Sequence, residues 1–263
     1  MRLFFFYGAT CALKVRLAIA ELGLDVEECA LTRADLTTPD YLRLNPKGVV
    51  PTLVVADRPI VESTTIMRFL SETAGGGLQP DDVFLRAKMN NWLKTMDEVL
   101  FPAIGYLTLG ISGRKTLQSL SDEDLRVRLN RVSTNLAISA QRFDAIRHGT
   151  GSASVIGAFQ NLTKDVKAME QQLSAAAFLA GDQYSLADAA IAPIFVRLEE
   201  FGIIEWWLSR APNTARWWEA VKERGSFART VLNPPNPEAA SYRRDMGELA
   251  PEARAQLVSL TAQ

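Results

Sequence analysis

The chain has 263 residues, 48% of them hydrophobic, with 29 Lys+Arg against 30 Asp+Glu, one histidine and two cysteines. That length holds one large domain or two ordinary ones, and a net charge of −1 lacks the basic excess that nucleic acid or an anionic membrane surface demands. His148 stands alone, which excludes sites built from several histidines, and two cysteines make no disulfide framework.

Chemistry in such a chain rests on a thiol, hydroxyls, carboxylates or a borrowed cofactor, with no resident metal. No run reaches the roughly 18 apolar residues of a membrane span. Leu3 to Leu13 behind Arg2 has the outline of a signal h-region, but Lys14, Arg16 and Glu21 follow at helical spacing, so a reduced, cytoplasmic protein is the better reading.

In chain order, Leu3 to Tyr7 is an apolar and aromatic run of strand length. Leu13, Leu17, Ala20 and Leu22 recur at helical spacing until Gly23, a helix stop. Val26 to Leu31 is a second strand, Asp35 to Leu44 a mostly polar connection, and Asn45-Pro46-Lys47-Gly48 a turn. Thr52 to Val55 and Pro59 to Val61 form a hairpin through Ala56-Asp57-Arg58. Ser63 to Thr73 is a helix, and Gly75-Gly76-Gly77 with Pro80 is a linker. Strands alternating with helices imply an α/β layer around a small mixed sheet.

Beyond Asp81 only helical periodicity remains. Leu85, Met89, Trp92, Leu93, Met96 and Leu100 mark one helix, which Phe101-Pro102 should bend or end. Asp122 to Arg147, Val155 to Leu173, Leu186 to Glu200 and Thr214 to Arg224 follow, with His148 to Gly151 as a loop. The tail opens on Asn233-Pro234-Pro235-Asn236-Pro237 and carries a weak helix, Glu252 to Leu260. The expected division is a domain over 1–77, an all-α domain over 81–232 and a tail over 233–263.

Cys11 lies where the first strand hands over to the first helix. Free N–H groups and the helix dipole favour an anion there, so its thiol should have a lowered pKa. A drop of ~2 units is worth about 2.7 kcal/mol; the alternative is a small residue packed under the sheet. Thr10 and Tyr7 could instead donate a hydrogen bond to a bound thiolate. Val50-Pro51, just before a strand, is a good place for a cis peptide bond, whose Val50 N–H and C=O would pair with a peptide-like ligand as a strand does. Ser63 at a helix start suits a carboxylate and Glu62 suits an ammonium, although Ser63 also reads as a simple N-cap. Lys47 could take a second carboxylate. Thiol, Val-Pro and Glu-Ser together match glutathione, which offers a thiol, two peptide bonds and a γ-glutamyl end. Ser185-Leu186-Ala187-Asp188 is a capping box with a structural role, and Cys29 falls among apolar strand neighbours.

These residues resemble the glutathione transferase superfamily over nearly the whole chain. Asn45 to Leu53 resembles that family's glutathione-binding loop with its cis-proline, Val61 to Ile66 its γ-glutamyl site, and Phe178 to Asp188 its helical N-capping element. Cys11 to Leu17, Asp40 to Asn45, Val49 to Val55 and Arg224 to Phe227 are similar to the tetrachlorohydroquinone reductive dehalogenases. Glu62 to Leu70 and Leu78 to Lys94 are similar to the lignin β-etherases, and beta-class transferases also carry a cysteine at this helix start. Ala9 stands where theta-like members have the serine that bonds glutathione's sulfur, which leaves that role to Cys11, Thr10, Tyr7 or backbone N–H groups. The resemblance implies a thioredoxin-like domain holding glutathione, a helical domain with an apolar pocket and a homodimer. Trp92, Phe101, Tyr106, Leu109 and Ile111 are the candidate walls, since aromatic and apolar side chains suit an aromatic electrophile. It implies an enzyme in which glutathione thiolate attacks a hydrophobic electrophile; a monothiol oxidoreductase and a non-enzymatic binder are the alternatives.

Overall fold

A computed structural model describes residues 1–132, 135–249 and 251–259. The N-terminal layer is a four-stranded sheet of β1 (Arg2–Phe5), β2 (Glu27–Ala30), β3 (Thr52–Val55) and β4 (Arg58–Val61), in the order β2-β1-β3-β4. β1 and β2 are parallel; β1–β3 and β3–β4 are antiparallel. Leu3 and Phe5 alternate into the interior and fix the face that β1 buries. The strand ends there, two residues before Tyr7, because Gly8 turns the chain at φ +83. Ala56 and Asp57 both take positive φ, the twist that a two-residue hairpin requires.

Three helices complete this layer: α1 (Thr10–Leu22), α2 (Pro39–Leu44) and α3 (Ser63–Thr73). The connection read as irregular thus contains α2, capped by Thr38; its polar surface hid the one inward residue, Tyr41. α1 buries Val15, Leu17, Ala18 and Ile19 and packs against α3 and the helical region.

The remainder described is helical. α4 (Val83–Thr95), α5 (Phe101–Thr108) and α6 (Arg114–Leu117) form one rod, joined by π-turns at Met96–Leu100 and Leu109–Gly113. Pro102 therefore neither ends nor breaks the helix. The wider turn before it, in which the Phe101 N–H bonds the Met96 carbonyl, absorbs the missing donor and the ring. Where one helix was expected over 122–147 there are two, α7 (Asp122–Val132) and α8 (Leu136–His148), the second capped by Asn135. α9 (Ala153–Leu173), α10 (Leu186–Phe201), α11 (Glu205–Leu208), α12 (Pro212–Lys222) and α13 (Gly225–Phe227) follow.

α10 is the centre of the core, buried along nearly its whole length. Its capping box is formed: Asp188 accepts from the Ser185 N–H and hydroxyl at 2.9 Å each, and also from the Leu179 N–H at 3.0 Å and the Trp217 indole at 2.8 Å. The tail folds into α14 (Ala239–Gly247) and α15 (Pro251–Ser259). Leu260, the expected end of the last helix, lies outside the described residues. No helix among the described residues is long and apolar enough to cross a membrane.

Candidate functional site

The start of α1, the loop before β3 and the start of α3 converge at one end of the strands, where β1 and β4 stop and β3 begins. Asn45, almost wholly buried, organises the loop: its amide donates to the Val49 carbonyl at 2.8 Å and to Thr52 Oγ1 at 3.1 Å. The Tyr41 hydroxyl donates to the same Val49 carbonyl at 2.7 Å. The Val50–Pro51 bond is cis, as is Asn233–Pro234 in the tail. The Val50 carbonyl faces Cys11, whose thiol donates to it at 3.1 Å.

Cys11 sits in the first turn of α1, yet its thiol is pushed up to about 11. This corrects the lowered value expected from a helix start. Desolvation is the largest influence and outweighs the Lys14 charge and the local backbone N–H groups. The thiol is therefore a neutral donor at ordinary pH. Cys29 lies on β2, remote from this site, and its thiol is also raised by desolvation and by Glu27.

Beside Cys11, Lys47 and Glu62 form an ion pair at 2.7 Å in which both side chains are mostly exposed. Glu62 has φ +68, a left-handed conformation uncommon outside glycine and stored most often at functional sites. Glu62, rather than Ser63, occupies the N-cap of α3; Ser63 is its first residue. The free N–H groups at that start suit a carboxylate, and Glu62 suits an ammonium. This pair of groups, with the Val50 carbonyl, fits a γ-glutamyl peptide such as glutathione.

Lys14 is a site residue that spacing alone did not single out. Its ammonium, 1% exposed, donates to Asp97 at 2.6 Å and Thr64 at 2.8 Å, one helical turn beyond Cys11. A buried cation needs such partners, and helical periodicity alone gave no sign that Asp97 of the distant rod would supply one.

Tyr7 and Thr10 face elsewhere. They line a cleft of ≈ 460 Å³, its mouth included, between the β1–α1 turn, α10 and the tail, with Arg16, Arg197, Glu200 and Asn236 around them. Tyr7 is held edge-on against Phe5 at 5.1 Å, with the Arg16 guanidinium over its ring. The tail thus borders the turn that carries the candidate residues.

The five apolar candidates do not gather around that cleft. Trp92, Phe101 and Leu109 pack half-buried against the main core, and Ile111 is inside it. Tyr106 lines a different, open cleft of ≈ 1160 Å³ between the rod, α8 and α9, and its hydroxyl donates to Gln141 at 2.6 Å. Residues at these spacings do not share one face of a 3.6-residue helix. Among the described residues no cluster of His, Cys, Asp and Glu is arranged to hold a metal.

A small mixed sheet presenting a helix-start thiol, a cis-proline loop and a Glu-Ser helix start, joined to an all-helical domain, is the architecture of the glutathione transferases. The sequence matches the N-terminal domain of glutathione S-transferases over residues 10–73 and their C-terminal domain over 145–224. It is 29% identical to the tetrachloro-p-hydroquinone reductive dehalogenase of Sphingobium chlorophenolicum, over 85% of this chain and 92% of that protein. Glutathione S-transferase 1 of Dianthus caryophyllus is 30% identical over 77% of this chain and 80% of its own length. The crystal structure of the β-etherase LigF from Sphingobium sp. strain SYK-6 superposes with a TM-score of 0.75 at 22% identity, covering 88% of this chain and 98% of that one. The chain belongs to the glutathione S-transferase family and is an enzyme of that superfamily.

Proposed function

We propose that the enzyme binds glutathione along the Val50 edge and uses its thiolate to attack a hydrophobic, aromatic electrophile. The observation that carries this reading is the contact between the Cys11 thiol and the Val50 carbonyl. That carbonyl is the acceptor that the peptide N–H of glutathione would use. A bound peptide then takes the acceptor from Cys11 and sets its own sulfur against the start of α1, where N–H groups favour a thiolate. Glu62 receives the glutamyl ammonium, Ser63 its carboxylate, and Lys47 the second carboxylate.

In the first step the glutathione sulfur forms a bond to the electrophilic carbon while halide or aryloxide leaves with the bonding pair. Cys11 supplies a second step that conjugation alone does not need. Cys11, neutral until then, loses its proton as its sulfur attacks the glutathionyl sulfur, forming a Cys11–glutathione disulfide, and the carbon takes the electron pair and that proton. A second glutathione thiolate then reduces that disulfide, releasing oxidised glutathione. Two relatives, a tetrachloro-p-hydroquinone reductive dehalogenase and a β-etherase, support aromatic electrophiles. Thr10 and Tyr7, the alternative donors of a hydrogen bond to that sulfur, serve only if the sulfur reaches the neighbouring cleft they line; the same reading has the chain working in the cytoplasm as a two-fold dimer in the breakdown or detoxification of aromatic compounds.

The test is a panel of chlorinated hydroquinones, β-aryl ethers and glutathione mixed disulfides, assayed on the wild type and on Cys11→Ser. Turnover of chlorohydroquinones that disappears in Cys11→Ser supports the two-step route. Turnover of mixed disulfides alone favours the monothiol oxidoreductase. Failure to be retained on immobilised glutathione, with no thermal shift in its presence, overturns the proposal in favour of a binder.

A further inference from the structure

Arg197 lies four residues before the end of α10, 5% exposed, and the chemistry proposed above leaves it without a role. Each of its three guanidinium nitrogens nonetheless donates a hydrogen bond. Nε donates to Glu200 at 2.7 Å, Nη1 to Thr108 Oγ1 at 3.2 Å, and Nη2 to the Gly8 carbonyl at 2.6 Å. The Tyr242 ring of the tail lies 4.3 Å from the guanidinium carbon. Burying a charge is costly, and an apolar residue of similar volume commonly serves stability as well or better. What an apolar residue does not do is hold one particular carbonyl from across a domain boundary.

That carbonyl is well placed. Gly8 precedes Ala9, the N-cap of α1, and Ala9 in turn receives the N–H groups of Ala12 and Leu13. A peptide unit is planar, so fixing the Gly8 oxygen fixes the Gly8–Ala9 plane and the direction in which α1 begins. The tail also packs closely on this turn. A Cβ on Gly8 would come within 2.9 Å of Asn236 Oδ1, and Asn236 Nδ2 donates to Glu200 at 2.8 Å. The Arg197–Glu200 pair therefore joins the β1–α1 turn, the rod and the tail in one hydrogen-bonded unit. The planar fork of arginine suits this task, because its donors leave in fixed directions.

We infer that Arg197 is a positioning residue: through the Gly8 carbonyl it sets the aim of the N–H groups at the start of α1 toward the sulfur of bound glutathione. The inference rests on the glutathione reading above. Its test compares the wild type with Arg197→Lys and with the double variant Arg197→Met/Glu200→Met, which leaves no unpaired buried charge. The readouts are kcat and KM for glutathione and the ultraviolet thiolate absorbance of bound glutathione titrated against pH. Misaim should raise the titration midpoint by about one unit and lower kcat at neutral pH about tenfold. KM should stay within about twofold.

Arg197→Lys, keeping the charge but one rotatable donor, should recover part of both. Wild-type titration and kcat in a folded double variant overturn the assignment, as does a change confined to KM. Should the double variant not fold, an intermediate titration in Arg197→Lys supports the assignment and an unshifted one overturns it. A wild-type protein showing no bound thiolate overturns the glutathione reading instead. Alkylation of Cys11 by iodoacetamide then decides: slower reaction at fixed pH in the variants supports positioning, and unchanged or faster reaction overturns it.

Discussion

Glu62 and Asp188 each stand at the start of a helix, and their surroundings are opposite. Asp188 is buried, accepts four hydrogen bonds, and is pushed upward in pKa by its burial. Glu62 is exposed, strained at φ +68, and joined to one lysine that is itself mostly in solvent. A carboxylate saturated by its own chain has nothing left for a ligand, and one held out on a strained backbone does. The first builds the fold; the second is the one proposed to bind.

Asp188→Ala tests this contrast most severely. It leaves four buried donors without their acceptor and should cost about 3–5 kcal/mol in urea denaturation; a loss below about 1 kcal/mol would break the comparison. Cys11→Ser comes next: thiol-exchange turnover should fall at least about a hundredfold, while stability moves by less than about 1 kcal/mol.

In the ligand-free wild type, Cys11 should be alkylated with a titration midpoint near pH 11. The folded value lies above the ordinary one of 9.0, so burial of the neutral thiol contributes stability below that pH. The contribution declines as the pH rises toward 11. A midpoint below neutrality would show instead that the helix start outweighs burial.

Glu62→Gln should raise KM for glutathione about tenfold, the worth of one charge-assisted hydrogen bond, with stability nearly unchanged. Lys47→Ala should be the smallest effect on the fold, at most about 0.5 kcal/mol, because the pair it breaks is solvent-exposed.

Much of the N-terminal site was legible because it is written in short stretches of chain. Cys11, Val50-Pro51 and Glu62-Ser63 are each local motifs, and the resemblance bound them together. The sheet was readable from alternation and turn residues, and most helices from their periods. What escaped was tertiary. Lys14 read only as a charged residue at helical spacing because its partner Asp97 lies on the rod. Arg197 drew no reading from the sequence because its partner Gly8 is 189 residues away. That the apolar candidates on the rod do not share one cleft has the same reason: composition marks a residue as apolar, and packing alone decides which way it faces. The expected low pKa of Cys11 came from the helix start and omitted desolvation, which only the folded neighbourhood reveals.

The cross-domain contacts have a consequence for anyone building hybrids between members of this family. Lys14 with Asp97, Glu21 with Arg224 and Gly8 with Arg197 join the sheet layer to the helical part at separated points. A chimaera whose halves come from different parents inherits the two side-chain pairs complete only if both donors kept them, and the third, made to a backbone carbonyl, only if its helical half keeps the arginine. Recombination at the glycine-rich linker is therefore expected to succeed or fail by these three matches, more than by overall identity.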